Sequence, residues 1–363
     1  SQNGGVMDMK KTMVFPYHPD MEILTDQVSG LKDASIVGFA SYQEDESVIR
    51  ELNEKLGNSS NLEEMIQQCD RVLFLEDYRG CRKEKYYEIL EKAIAAGKEI
   101  VLVPQLKKEL DLEPYGERCV FLQKELMTGV KPSSLKEKEK YPVEIPVVAV
   151  MGLGKHCNKF ENQILMKKMF EEKGYRVAWF SSNPLGVLFG GNTLPEFLFE
   201  ESVSFEEKIF RLNHLMYGLS RDGAADVCII GVPEGVSEFE KYEYHHFAEY
   251  ALVIGNAVPV DSSVLCSYFL RQPIESEIDN IIRHIYEKFG IPIDMVSIGN
   301  AGYQLLEEEL DVIYMFFKEK YIKEHYVKNE ELSNFVVGIW EKEKLQIAME
   351  KILERLCSNA ATV

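Results

Sequence analysis

Short runs that are apolar at nearly every position recur along this chain, and stretches of helical period separate them. Residues 12–15 (Thr-Met-Val-Phe, ending at Pro16), 35–40, 71–75 and 99–103 are such runs in the first third. A strand apolar on both faces must be covered on both faces, which is the condition of a parallel sheet flanked by helices. The intervening segments fit that arrangement. Asn61 with Glu64 three residues later forms a cap signal for a helix over 62–68, and a helical stretch over 86–96 stops at Gly97. The alternation predicts a small doubly wound sheet.

A polar run, Lys131-Pro132-Ser133-Ser134-Leu135-Lys136-Glu137-Lys138-Glu139-Lys140, breaks the pattern and reads as a linker over 131–141. A second series follows. Strands are expected at 145–151, 176–180, 226–231, 251–254 and 294–298. Helices are expected at 160–173, after the Ser204-x-x-Glu207 cap, and at 274–289 before Gly290. Residues 305–356 are charged and helical in period. The organisation read from this is a Rossmann-like α/β domain over 7–130, the linker, a second α/β domain over 142–304, and a helical C-terminal region over 305–363. The opening Ser1-Gln2-Asn3-Gly4-Gly5 reads as a tag remnant, with the native start at Met7 or Met9.

Composition excludes several function classes. The 363 residues carry 41 Lys+Arg against 60 Asp+Glu, a formal net charge of −19. That charge repels the phosphate backbone of nucleic acid and an anionic membrane surface. No apolar run approaches the roughly 20 residues of a membrane-spanning helix. The seven cysteines are scattered without a C-x-x-C pair, the pattern of reduced cytoplasmic thiols and not of a disulfide frame or zinc ribbon.

Chemistry is most concentrated at Met151-Gly152-Leu153-Gly154-Lys155-His156-Cys157-Asn158-Lys159-Phe160-Glu161. A strand, a glycine-containing loop and a helix start would aim backbone N–H groups and the positive helix end at one spot, which suits an anion. The order matches a degenerate phosphate-binding loop. Lys159 supplies charge, Asn158 replaces the last glycine and tolerates positive φ, and Phe160 replaces the hydroxyl residue that would ligate Mg²⁺. Lys159 lies seven positions after Gly152 and five after Gly154, so neither glycine is in register. Asn183, after the second strand of this series, and Glu234, after the third, are expected to flank the ligand, because open α/β sheets bind at the carboxyl ends of their strands. The candidate site is therefore Gly152, Gly154, Lys155, Asn158, Lys159, Asn183 and Glu234. The ligand would be a nucleotide or another phosphate-bearing molecule. An ordinary strand–turn–helix junction explains the same glycines. Cys157 beside His156 reads as an unreactive loop thiol or an activated one. His245 and Glu249 would share a helical face, a solvated pair or two metal ligands, and no third ligand is nearby, so no metal is assigned. In the first series Glu76 and Asp77 stand at a strand end, with no G-x-G-x-x-G and hence no sign of a dinucleotide.

The segment 152–163, the segment Leu188-Phe189-Gly190-Gly191-Asn192-Thr193-Leu194-Pro195-Glu196-Phe197, the segment 229–235, and more distantly Phe15-Pro16-Tyr17 and Cys69-Asp70 together resemble the peptide maturation system proteins. These are encoded beside radical SAM maturases of Cys-rich ribosomally made peptides. The resemblance spans about residues 11 to 305, and the second half is also similar to P-loop proteins. It implies a cytoplasmic accessory role in natural-product peptide biosynthesis, with a maturation enzyme, precursor peptide or carrier as partner. A homo-oligomer is compatible with it. A nucleotide-dependent ligase or kinase-like activator of a carboxylate, and a non-catalytic scaffold, remain open as alternatives.

Overall fold

The structure is a computed structural model that describes residues 9–42, 46–77, 79–238, 242–308, 311–332 and 334–360. The tag-like residues and Met7 lie outside them. The chain forms two compact units, one of residues 1–124 with 184–190, the other of residues 125–183 with 191–363. The segment 184–190 joins the first unit through the Leu188 carbonyl, which accepts from the Lys32 N–H at 2.8 Å.

The first unit holds β1 (Lys10–Phe15), β2 (Ala34–Phe39), β3 (Arg71–Phe74), β4 (Glu99–Leu102) and β5 (Cys119–Phe121), all parallel, in the order β2-β1-β3-β4-β5. β3 is buried at every position, as its run of apolar residues requires. Asn61 caps the helix Leu62–Gln68 through Oδ1, which accepts from the N–H groups of Glu63 (3.0 Å) and Glu64 (3.1 Å). Phe15, Phe74 and Tyr86 pack edge to face or tilted at 4.9–6.2 Å between centroids and fill the space under the helix Lys83–Ala95.

The second unit holds β6 (Val147–Gly152), β7 (Val177–Ser181), β8 (Asn192–Thr193), β9 (Val227–Gly231), β10 (Ser262–Ser267), β11 (Met295–Ile298), β12 (Ala301–Leu306), β13 (Asp311–Phe316) and β14 (Val336–Gly338). Seven form a parallel sheet in the order β14-β11-β10-β6-β9-β7-β8. β6, buried throughout, is central, and the strand order reverses there. The two-sheet α/β architecture is the one expected from the alternation.

Three local expectations are corrected. Residues 251–254 lie in the helix Glu249–Ala257, not a strand. A short run apolar on all sides is equally a buried helix turn, and Ala251, Val253 and Ile254 are all buried. The region beyond 305 is not purely helical. β12 and β13 pair as an antiparallel hairpin, and the apolar stretch near 335–340 adds β14 to the main sheet's edge. The alternating exposure of Asp311–Phe316 is a strand period that the many charges nearby conceal. The polar run at 131–141 is bound to the second unit. Asn213 accepts from the Tyr141 N–H (2.7 Å) and donates to the carbonyls of Tyr141 (3.0 Å) and Ala257 (2.9 Å), while Lys140 reaches the Asn256 carbonyl at 3.0 Å. No described helix is long and apolar enough to cross a membrane.

Candidate functional site

The loop after β6 is organised by its own side chains. Gly152, the last residue of β6, has no room for a Cβ, because the Lys159 stem would lie 2.7 Å from it and the Cys157 thiol crowds the same point. Asn158 takes the left-handed conformation (φ 59°, ψ 26°) that its residue type tolerates, and Lys159 begins the helix Lys159–Glu172. Asn158 Oδ1 accepts from the Asn300 N–H at 3.0 Å and its Nδ2 donates to Glu161 at 3.1 Å, which ties this turn to the loop after β11. His156 also has positive φ (58°), and its ring meets Tyr314 at 4.6 Å and Phe316 at 5.7 Å, both from β13. Cys157 is 1% exposed and donates to the Gly154 carbonyl at 3.2 Å, the environment of a structural thiol. Phe160, in the place of a Mg²⁺-binding hydroxyl, stacks on Trp179 at 6.2 Å.

The segment after β9 lies across this loop. The Val236 N–H donates to the Gly152 carbonyl (2.9 Å) and the Ser237 N–H to the Leu153 carbonyl (3.2 Å). Gly235 approaches so closely that a Cβ would meet the Gly154 Cα at 2.6 Å. The Lys159 ammonium turns back over the loop and donates to the Glu234 carbonyl. Lys155 points elsewhere, to Glu243 at 2.6 Å and Glu234 at 3.5 Å, while Tyr268 donates to its carbonyl at 2.7 Å. Five of the expected residues, Gly152, Gly154, Lys155, Asn158 and Lys159, thus share one loop, and Glu234 meets Lys159 through its carbonyl and Lys155 through its carboxylate. Asn183 stands apart, in the turn after β7, whose strand is two positions from β6 in the sheet. That is about 9–10 Å at the usual strand spacing.

Two residues that the sequence did not single out complete the arrangement. Glu243 accepts from the Tyr314 hydroxyl at 2.9 Å as well as from Lys155. Gln163, fully buried, accepts from the Trp179 indole (3.1 Å) and the Ser182 N–H (3.2 Å) and donates to Ser182 Oγ (2.8 Å) and the Lys159 carbonyl (3.1 Å). Its place in the 152–163 segment was the only signal for it.

The expected His245–Glu249 helical face does not exist. His245, His246, Phe247 and Ala248 have φ of 46°, 50°, 54° and 59°, a left-handed turn that precedes the helix. Each non-glycine residue so held costs on the order of 1–3 kcal/mol and persists only where its surroundings enforce it. Glu249 pairs instead with Lys208 at 2.7 Å. His245 lies 3.5 Å from Glu234 and 3.6 Å from Glu243. Burial opposes ionisation of the Glu234 carboxyl. The hydrogen bond with His245 and the charges of Lys155 and Lys159 outweigh it and hold the group down at about 2. Beside this cluster is a cavity of about 510 Å³, lined by Lys155, Glu234, Glu243, His245, Phe247 and Glu249. Glu234, Glu243 and His245 place one ligand atom each within 4.8 Å of one another, a metal-compatible spacing, but the Lys155 ammonium already supplies the positive charge there.

No protein-family model and no curated protein sequence matches the chain. Among solved structures, a DUF1611 family protein from Anabaena variabilis is similar over 94% of this chain and 99% of its own, with 11% identity and a TM-score of 0.58. That likeness shows a shared fold across both units. A LAO/AO transport system kinase matches at 15% identity over 61% of this chain and 62% of its own, TM-score 0.32. A GTPase from Pyrococcus abyssi matches at 15% over 58% of this chain and 98% of its own, TM-score 0.31.

Proposed function

We propose that the second unit binds a phosphate-bearing ligand, a nucleotide in the first instance, at the loop 152–159. We further propose that it does so as an accessory of ribosomal peptide maturation, with a maturation enzyme or the precursor peptide as partner. The observation that carries the reading is the Lys159 ammonium, folded over the loop at the end of the central strand and not extended into solvent. Its present acceptor is the neutral Glu234 carbonyl. A phosphate oxygen is a charged acceptor, and charge-assisted hydrogen bonds are roughly twice as strong as neutral ones. Phosphate can therefore take over the lysine, with the segment 234–237 lifting from the loop. Phe160 offers no oxygen to Mg²⁺, so this is binding without the metal arrangement of a standard nucleotide hydrolase.

Thermal denaturation with ATP and GTP, with and without EDTA, tests the reading. At a hundredfold excess over Kd the melting temperature should rise by roughly 5 to 10 °C. The rise should persist in EDTA and disappear in Lys159→Ala. An unchanged rise in that variant removes Lys159 from the site, whereas a rise that needs Mg²⁺ favours a carboxylate-activating enzyme. Co-purification of the chain with the precursor peptide or maturase tests the setting separately, and its absence under expression of all components would leave a ligand-binding protein without that role.

A further inference from the structure

The left-handed turn at 245–248 treats its residues differently. It buries His245 and Ala248 and holds Phe247 outward, 61% exposed. The Phe247 N–H donates to the Tyr244 carbonyl at 2.8 Å, and the two rings stack at 5.2 Å between centroids. Tyr244 is itself 47% exposed. Two rings fixed by the backbone and left in water gain by being covered, and contiguous aromatic surface of this kind marks protein interfaces. The surface continues past the turn, where His246 meets Tyr250 at 5.6 Å and Tyr250 meets the exposed Phe199 at 5.4 Å.

The same turn walls the cavity of about 510 Å³. Three carboxylates line that cavity, Glu234, Glu243 and Glu249, against one ammonium, Lys155. Glu249 receives the buried Lys208 ammonium through Oε1 at 2.7 Å, and its side chain is 32% exposed. A carboxylate has about four acceptor positions, so Glu249 can accept from a further donor. Burial first, and then the charges of Glu234 and Glu249, push the neighbouring Tyr250 phenol up to about 12. Negative potential therefore persists in this space despite Lys155. An aromatic rim around an acidic cavity suits a long cationic side chain, whose stem packs on the rings while its head reaches the carboxylates.

We infer that this face docks a peptide segment of a partner protein through one arginine or lysine, whose cationic head enters the cavity toward Glu249 and Glu243 and whose apolar neighbours cover Tyr244 and Phe247. A free amino acid or polyamine would fill the cavity and leave those rings bare. The net charge of −19 repels nucleic acid, an anionic membrane and a second copy of the chain. The inference rests on the peptide-partner part of the reading above, and not on a phosphate at the loop 152–159.

Selection from a random heptapeptide library on the immobilised full chain tests it. Recovered peptides should be enriched in arginine or lysine beside apolar residues. The tightest of them, made synthetically, should lose about tenfold or more in affinity when citrulline or norleucine replaces its basic residue. Phe247→Ser should weaken it by a similar factor at an unchanged melting temperature, because that side chain is exposed. Lys155→Met removes the competing ammonium and should tighten binding, a gain that a merely structural cavity would not give. Recovery of no peptide, or of peptides without a basic excess, overturns the inference. So does an affinity that neither the neutral replacement nor Phe247→Ser changes. Arginine amide that binds as tightly as the peptide overturns the docked segment as occupant. The melting-temperature rise with ATP or GTP is a separate readout, so failure here leaves the loop reading standing, and the reverse.

Discussion

The two sheets end in different ways. At the carboxyl edge of the first, the buried Tyr42 phenol faces the buried Asp77 carboxylate beside two guanidinium groups, with a single acid in play. At the edge of the second, the groups that would grip a ligand already grip one another. Lys159 holds the Glu234 carbonyl, Lys155 holds two carboxylates, and Gly152 and Leu153 accept from the segment that crosses them. A loop of the right sequence is not thereby an open site. A ligand at the second edge must exchange partners with groups that are already paired.

Gln163 holds the second edge together most strongly. Gln163→Ala strips four hydrogen bonds from a fully buried position and leaves the Trp179 indole unmet. The loss should be about 3–5 kcal/mol in urea denaturation. A loss below about 1 kcal/mol would mean that the second edge is not held by its internal bonds.

The Glu234 carboxyl offers a smaller test. Its value of about 2 lies below the ordinary 4.5. A depressed carboxyl contributes stability that is fully present above the ordinary value and is lost as pH falls through the depressed one. About 3 kcal/mol should therefore drain away between a pH of about 4.5 and about 2. Glu234→Gln should flatten that part of the profile, and a profile identical to the parent's would show the carboxyl to be solvated.

Tyr42→Phe probes the first edge and has the smallest effect. Removing a buried hydroxyl that bonds the Asp77 carboxylate should cost about 1–2 kcal/mol in urea denaturation. No loss of stability would show that the hydroxyl makes no bond to Asp77.

Much of the fold was legible because it rests on local pattern. The runs around 71–75, 99–103 and 145–151 are apolar on both faces and became buried parallel strands. Asn61 and Ser204 became caps, each accepting from helix N–H groups. The turn at Asn158 was legible too, since few residues other than glycine accept its φ. The helix at 249–257 was not, because four consecutive apolar residues carry no period that separates strand from buried helix. Nor was the hairpin of β12 and β13, whose pairing is a contact between strands and leaves no trace in composition.

By itself the sequence determined the two sheets, their parallel sense and the turn before Lys159, since burial on both faces and the steric limits of φ act within a few residues. Tertiary structure alone decided what the Lys159 ammonium touches, that Gln163 ties a helix to a neighbouring strand, and that Tyr42 and Asp77 face one space. Those outcomes depend on groups from 16 to 75 positions apart meeting at one place, and no local preference encodes which distant partner an ammonium or a carboxylate will meet.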